Sequence, residues 1–211
     1  KDASVRVLYF RAKAAACQDE RNRAGAEEAL RSALQCCEKA KDDKENNLET
    51  QACVVRSELI ILLCEQDRHA EAAKFVTACD THARTHVNDE DGELMQAAMS
   101  AGILWALKSG NEADAVRRIQ ELEAVAKTAH QAGRIGGQLL NMANNSSRMG
   151  FHWAALAAAE AAVRLGQKSD DKKGFLVGSL YTVAVVTLHS GDHVTAKRKA
   201  ESLLDACNDP K

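Results

Sequence analysis

The sequence predicts an all-α protein, an α-solenoid of about five antiparallel helix pairs, and three observations carry that reading. The first is a recurring joint. Ser109-Gly110-Asn111-Glu112-Ala113-Asp114-Ala115 is a helix-breaking turn with an alanine five places after its glycine, and Gly150 to Ala155 and Gly191 to Ala196 repeat it. Weaker copies lead from Asp67 to Ala72 and from Ala24 to Ala29. The second is the period: joints at 24, 67, 110, 150 and 191 are spaced by 43, 43, 40 and 41 residues, and a fixed period of this length comes from stacked supersecondary units. The third is composition. Hydrophobic residues make up 45% of the 211, aromatics only 4%, and the one proline is Pro210. Alanine and leucine lose least on entering a helix, and the usual helix breaker is missing. Runs of alternating β-branched and aromatic residues are absent, so no sheet is expected.

The elements follow in order. Residues from about 3 to 22 form a first helix, and Arg23-Ala24-Gly25 turns it into a second from about 26 to 41. Asp42 to Asn47 is a polar connection, and the next helix, Glu45 to Glu65, carries Leu48, Ala52, Val55, Leu59, Leu62 and Leu63 at three- and four-residue spacing. Asp67 turns the chain, and His69 to about His86 is the partner helix. In the linker Val87 to Asp91 the acids favour the start of the following helix, Asp91 to Lys108. Asn111 is the expected N-cap of a helix from Glu112 to Gln131. Gly133, Gly136 and Gly137 loosen the entry to a helix ending near Arg148. Gly150 leads to Phe151–Leu165, Ser169-Asp170-Asp171 caps Lys172–His189, and Asp192 caps a last helix ending near Cys207.

One register aligns the five pairs as a single repeat domain, 1–211, with repeats at about 1–43, 44–88, 89–132, 133–169 and 170–211. Ala29, Ala72, Ala115, Ala155 and Ala196 stand five after each joint. Ala33, Val76, Ile119, Ala159 and Ala200 come four later, and Cys36, Cys79, Leu122, Ala162 and Leu203 three beyond those. Steps of four and three keep these rows on one helical face. Seven before each joint stand Cys17, Ile60, Ile103, Ala143 and Ala184, small or branched residues suited to a close crossing. The chain starts without Met inside an element, at Val5 to Phe10, as expected of a piece of a longer protein.

The glycine turn, the alanine five residues later and the small residue in the first helix resemble the tetratricopeptide repeat over essentially the whole chain. The period of 40 to 43 is similar to that family's longer-helix variants. Its usual first-helix tryptophan and tyrosine are replaced, for example by Met99 and Ala106, and its repeat-end proline is absent. HEAT-like and proteasome-lid-type helical repeats are the alternatives. The resemblance implies a right-handed superhelix whose concave surface, lined by the first helix of each pair, holds an extended or helical peptide.

The sharpest candidate for such a surface is the first helix of the fourth repeat. Gln138, Asn141, Asn145 and Arg148 fall on one stripe at offsets of three, four and three, with Asn144 beside them. An amide can satisfy both the N–H and the C=O of a bound backbone, and an arginine fork grips a carboxylate. The resemblance implies that Asn141 and Arg148 match ligand-clasping positions. Val54, Ser57, Ile61, Leu104 and Leu107, with Glu58, Glu65 and Lys108 at the rim, form an apolar floor in the second and third repeats that suits an amphipathic partner. Ordinary core between repeats explains those residues as well. Tyr181 and His189 stand at inner positions of the fifth repeat, where Tyr181 has a hydroxyl for a peptide.

Other functions find less support. A net charge of −2 with interspersed signs lacks the basic footprint of a nucleic-acid binder or a membrane-surface protein. No apolar run approaches the roughly 20 residues needed to cross a bilayer. The seven cysteines, an odd number without paired spacing, read as buried hydrophobes of a reducing compartment, cytoplasmic or nuclear. His82 and His86 stand four apart without a third ligand, His189 and His193 straddle a turn, and Cys36-Cys37 has neither redox nor zinc spacing. Lys197-Arg198-Lys199 reads as a solvated face. No phosphate loop or nucleophile elbow is present. The expectation is a non-enzymatic adaptor or scaffold without cofactor or metal, binding a protein or peptide partner, with an architectural subunit or a ligand-sensing domain as alternatives.

Overall fold

A computed structural model describes residues 2–40, 48–85, 93–169 and 172–208, and every described element is helical. The helices are α1 (Ala3–Asp19), α2 (Arg23–Lys39), α3 (Leu48–Glu65), α4 (His69–Thr85), α5 (Glu93–Lys108), α6 (Glu112–Val125), α7 (Ala129–Arg148), α8 (His152–Gly166), α9 (Lys172–His189) and α10 (His193–Asn208). The expected linkers at Asp42–Asn47 and Val87–Asp91, and the caps at Asp170-Asp171, lie outside the described residues.

The recurring joint has one backbone cause. A single residue takes a left-handed conformation: Arg21 (φ 59°), Asp67 (φ 58°), Gly110 (φ 75°), Gly150 (φ 84°) and Gly191 (φ 86°). The amide of the next residue reaches back to the helix just ended, Asn22 to the Cys17 carbonyl at 2.7 Å, Arg68 to Leu63 at 2.9 Å and Phe151 to Ser146 at 2.9 Å. These bonds satisfy carbonyls that a helix end leaves orphaned. That same following residue then starts the next helix. Asn22, Asn111 and Asp192 accept the amides of Gly25, Asp114 and Thr195, so the expected caps at 111 and 192 are present.

The first joint is therefore three residues earlier than the sequence spacing placed it. The turn residue is Arg21, not Ala24, and α2 begins at Arg23 rather than near 26. The alanine in register is Ala26, whose amide bonds Asn22 as Ala72 bonds Arg68, Ala115 bonds Asn111, Ala155 bonds Phe151 and Ala196 bonds Asp192. Ala26, Ala72, Ala115 and Ala155 are all fully buried. Three residues is nearly one helical turn, so Ala29 shares the face and is buried too, which is why the slipped register looked consistent. In the row seven before the joint, buried Ala14 takes the place of half-buried Cys17. Gly25 serves the cap instead of the turn: a Cβ there would come 2.6 Å from the Asn22 amide nitrogen.

The helix expected over Glu112–Gln131 is two elements. It stops at Val125, and Thr128 opens α7 with a capping box in which Gln131 answers the Thr128 amide. Gly133, Gly136 and Gly137 thus sit inside a continuous helix, and at Gly136 the reason is packing. A Cβ on Gly136 would lie 2.4 Å from the Phe175 ring, and one on Gly166 of α8 would lie 2.6 Å from it. Phe175 of α9 is clasped by two glycines. Ser169, expected as a cap for α9, instead donates its hydroxyl to the Gly166 carbonyl at the end of α8.

The chain divides into two compact units, Lys1–Ser109 and Gly110–Lys211, and the boundary coincides with the third joint. In the first unit α2 packs on α1 and α3, α4 on α3, and α5 on both α3 and α4. Its core is aliphatic, with Leu30, Leu59, Ile60, Leu62, Leu63, Met99 and Ile103 fully buried, and Trp105 donates to the His69 carbonyl at 3.0 Å. In the second unit α8 packs on α6, α7 and α9, and α9 also on α7 and α10. Within its core α8 buries six alanines with Leu165 and Gly166, small residues that let neighbouring helices approach closely, and Ile119, Leu122, Ile135 and Leu139 of α6 and α7 supply the larger side chains.

Candidate functional site

Helix α7 positions the polar stripe. Its buried face, with Ala132, Ile135, Gly136, Leu139 and Ala143, fixes the rotation of the helix. The opposite side turns Asn141, Asn144, Asn145 and Arg148 into solvent, with Gln138 half-buried at its edge. Among the described residues the side chains of those three asparagines and Arg148 make no hydrogen bond or ion pair. Amides with N–H and C=O groups spare, held by a helix that is itself well packed, leave unused capacity for a ligand backbone.

Helix α9 packs beside α7, and the Ser147 hydroxyl meets His189 Nδ1 at 3.0 Å to tie their C-terminal ends together. Tyr181 is 61% exposed, and Leu188 is exposed one helical stretch further on. Val177, Tyr181, Ala184 and Leu188 stand at offsets of four, three and four along α9, an apolar stripe wholly or partly open to solvent. Sequence reasoning found Tyr181 and missed Val177 and Leu188. Their signal was present as a helical spacing, but in a helix this apolar it cannot be told from core without the packing. Lys108 belongs to the other unit, half-buried at the end of α5, so it is not placed with this face.

The first unit treats its apolar floor differently. Ser57 and Leu107 are buried and Val54 and Leu104 half-buried, leaving Ile61 exposed. Ser57 spends its hydroxyl on the Cys53 carbonyl at 3.0 Å. Glu58, assigned to a rim, is held by Arg11 of α1 through bonds of 3.0, 3.2 and 2.5 Å. Gln51 reaches the Ser4 hydroxyl at 2.8 Å across the same helices. These contacts engage Ser57, Glu58 and Gln51, while Glu65 stays exposed.

The other titratable groups are mostly absorbed. Between α2 and α4 of the first unit Glu27 and Glu71 share Arg68 and Arg31, and these partners, Arg68 first, hold both carboxyls below their usual range. In the second unit burial raises the Asp114 carboxyl, but its bonds to Arg118 and Arg117 outweigh that and leave it lowered. His82 lies 4.0 Å from Glu49 beside a cavity of about 110 Å³ lined also by Cys37, Arg56 and Glu38. His86 falls outside the described residues. Burial pushes the Cys64 thiol up to about 11 and also raises Cys37, so neither is thiolate at neutral pH. Lys197 and Arg198 are exposed. Among the described residues no group of three or more His, Cys, Asp and Glu could hold a metal, and no helix is long and apolar enough to cross a membrane.

No protein-family model, curated protein or solved structure matches this chain.

Proposed function

We propose that this protein is a non-enzymatic binding module that captures a linear segment of a partner on the α7/α9 face of its second unit. The carrying observation is the exposed, unengaged stripe of Asn141, Asn144, Asn145 and Arg148 on a helix whose other side is firmly buried. Asparagine gains little as a helix former. Three of them in five positions on a solvated face carry a cost that backbone recognition would justify. The apolar stripe of α9 supplies side-chain pockets beside these backbone grips, the division of labour by which peptide grooves gain specificity. In this reading the helices form antiparallel pairs in a right-handed tetratricopeptide-like array, with the first helix of each pair inward. Gln138 and Tyr181 flank the grip.

The test is direct binding of linear peptides, selected from a random library on the whole chain, to the wild type and to an Asn141→Ala, Arg148→Ala double variant. Micromolar binding lost in the variant at unchanged helicity supports the groove; unchanged binding removes it.

A second reading, an architectural subunit docking by its terminal helices, is favoured by apolar exposure there. Leu204 and Val194 of α10 are 62% and 72% exposed, and Val5, Leu8 and Tyr9 of α1 are exposed as well. Assembly into larger species through these residues, with no single peptide bound, would select it.

A further inference from the structure

The charge of this face specifies its partner further, and the inference rests on the peptide-binding reading above. The 20 residues of α7 and the 18 of α9 contain no Asp or Glu. The chain has 30 acids in 211 residues, a frequency that would place roughly five in these two helices. The basic residues they carry are Arg134, Arg148, Lys172, Lys173 and two histidines, His130 and His189.

The change shows at one register position. Two residues before the left-handed turn residue, α1, α3 and α5 of the first unit carry Asp19, Glu65 and Lys108, whereas α7 and α9 carry Arg148 and His189. All but the half-buried Lys108 are exposed. The same rung of the same joint is of mixed sign in the first unit and carries no acid in the second.

We propose that the α7/α9 face takes an acidic extended segment with apolar residues interspersed among its carboxylates. A carboxylate approaching this face meets no like charge from either helix, while Arg148 offers it a bidentate fork. The neutral amides of Asn141, Asn144 and Asn145 bond its backbone without setting a sign, and Tyr181 and Leu188 receive its apolar side chains. Like charges set against each other at an interface cost several kcal/mol, so an acid-free surface discriminates by what it lacks. A single-stranded nucleic acid fits less well, because it needs cations along its backbone and aromatic platforms, where this stripe presents amides.

Random peptides of about 12 residues, long enough when extended at ~3.3 Å per residue to run the ~30 Å of α7, are displayed and selected on the whole chain. The expected winners are at least about twofold enriched in Asp and Glu. Replacing their acids by Asn and Gln should weaken binding about tenfold, as should Arg148→Glu, with Arg148→Gln as the milder variant should the inversion disturb folding. Glu65→Lys on the first unit should leave binding unchanged. Affinity should also fall as salt rises from about 0.01 to about 1 M, where the screening length shrinks from ~30 to ~3 Å. Winners of average composition, still lost on Asn141→Ala, would overturn the charge preference and keep the peptide groove. No winners at all would remove both. Displacement of acidic winners by polyuridylate would overturn the inference in favour of nucleic acid.

Discussion

The two units use the same joint and present opposite surfaces. Nine, six and two residues before the turn residue, α3 carries Glu58, Ile61 and Glu65, whereas α7 carries Asn141, Asn144 and Arg148. In the first unit Arg11 closes on Glu58, so α1 and α3 satisfy that position between themselves. In the second, the same positions are left with free hydrogen-bonding capacity. Both cores mix buried aliphatics with alanine, and the second adds a phenylalanine clasped between two glycines. The recurring joint therefore depends on a few positions, the turn residue and the alanine five after it. The exposed rungs are free to become either a sealed surface or an open one.

The largest effects should come from breaking the second unit's own core. Phe175→Ala empties the notch between Gly136 and Gly166 and should cost about 3 kcal/mol, a typical value for removing a packed phenyl ring. Gly136→Ala should cost about 2 kcal/mol by overpacking, because its new methyl would meet the ring at 2.4 Å. Gly133 is the control. Its nearest neighbour to an added Cβ is 3.7 Å away, so Gly133→Ala should stabilise by up to ~1 kcal/mol through helix propensity alone. Urea unfolding of all three checks the set. Equal losses at 133 and 136 would show that helix flexibility, and not the clasp, explains these glycines.

That contrast also explains what could be read from the chain. Period and caps were legible because Gly110, Gly150 and Gly191 are left-handed turn residues, with Asn111 and Asp192 after two of them as N-caps. The first joint was misplaced because its turn residue is an arginine, which carries no sequence signal for a positive φ. The break at Ala126 has no glycine or proline to mark it, and its one signal is the capping-box spacing of Thr128 and Gln131, which sequence reasoning missed. The polar stripe was legible, since amides at helical spacing stand out in an apolar helix. The occupation of Glu58 was not, because its partner Arg11 is 47 residues away.

Sealing is the next difference to test. Arg11 and Glu58 are each about one third exposed, so a double-mutant cycle with Arg11→Ala and Glu58→Ala should return a coupling of about 1 kcal/mol at most. A coupling indistinguishable from zero would mean that the first face is as open as the second. The Glu27, Glu71, Arg31 and Arg68 group between α2 and α4 adds an acid-dependent component. Both carboxyls are lowered from 4.5 in the folded state. Their contribution is therefore complete above that value and is lost as pH falls through the lower folded ones. Wild type should lose stability more steeply than Arg68→Ala as the solution is acidified below about pH 4.5.

The smallest effect concerns the joints themselves. The first unit turns on Arg21 and Asp67, the second on Gly150 and Gly191, all with positive φ. A side chain in this conformation costs roughly 1 kcal/mol, and glycine escapes that cost while giving back part of it as greater freedom in the unfolded chain. Arg21→Gly should therefore stabilise by about 0.5 kcal/mol, and Gly150→Ala should destabilise by about 1 kcal/mol. Asp67→Gly should gain less than Arg21→Gly, because aspartate tolerates the left-handed region better than arginine does. Thermal unfolding of the three variants measures this ordering. Were Arg21→Gly to destabilise instead, the side chain of Arg21 would have to be supplying a contact worth more than its backbone strain, and the first joint would differ from the others in more than its turn residue.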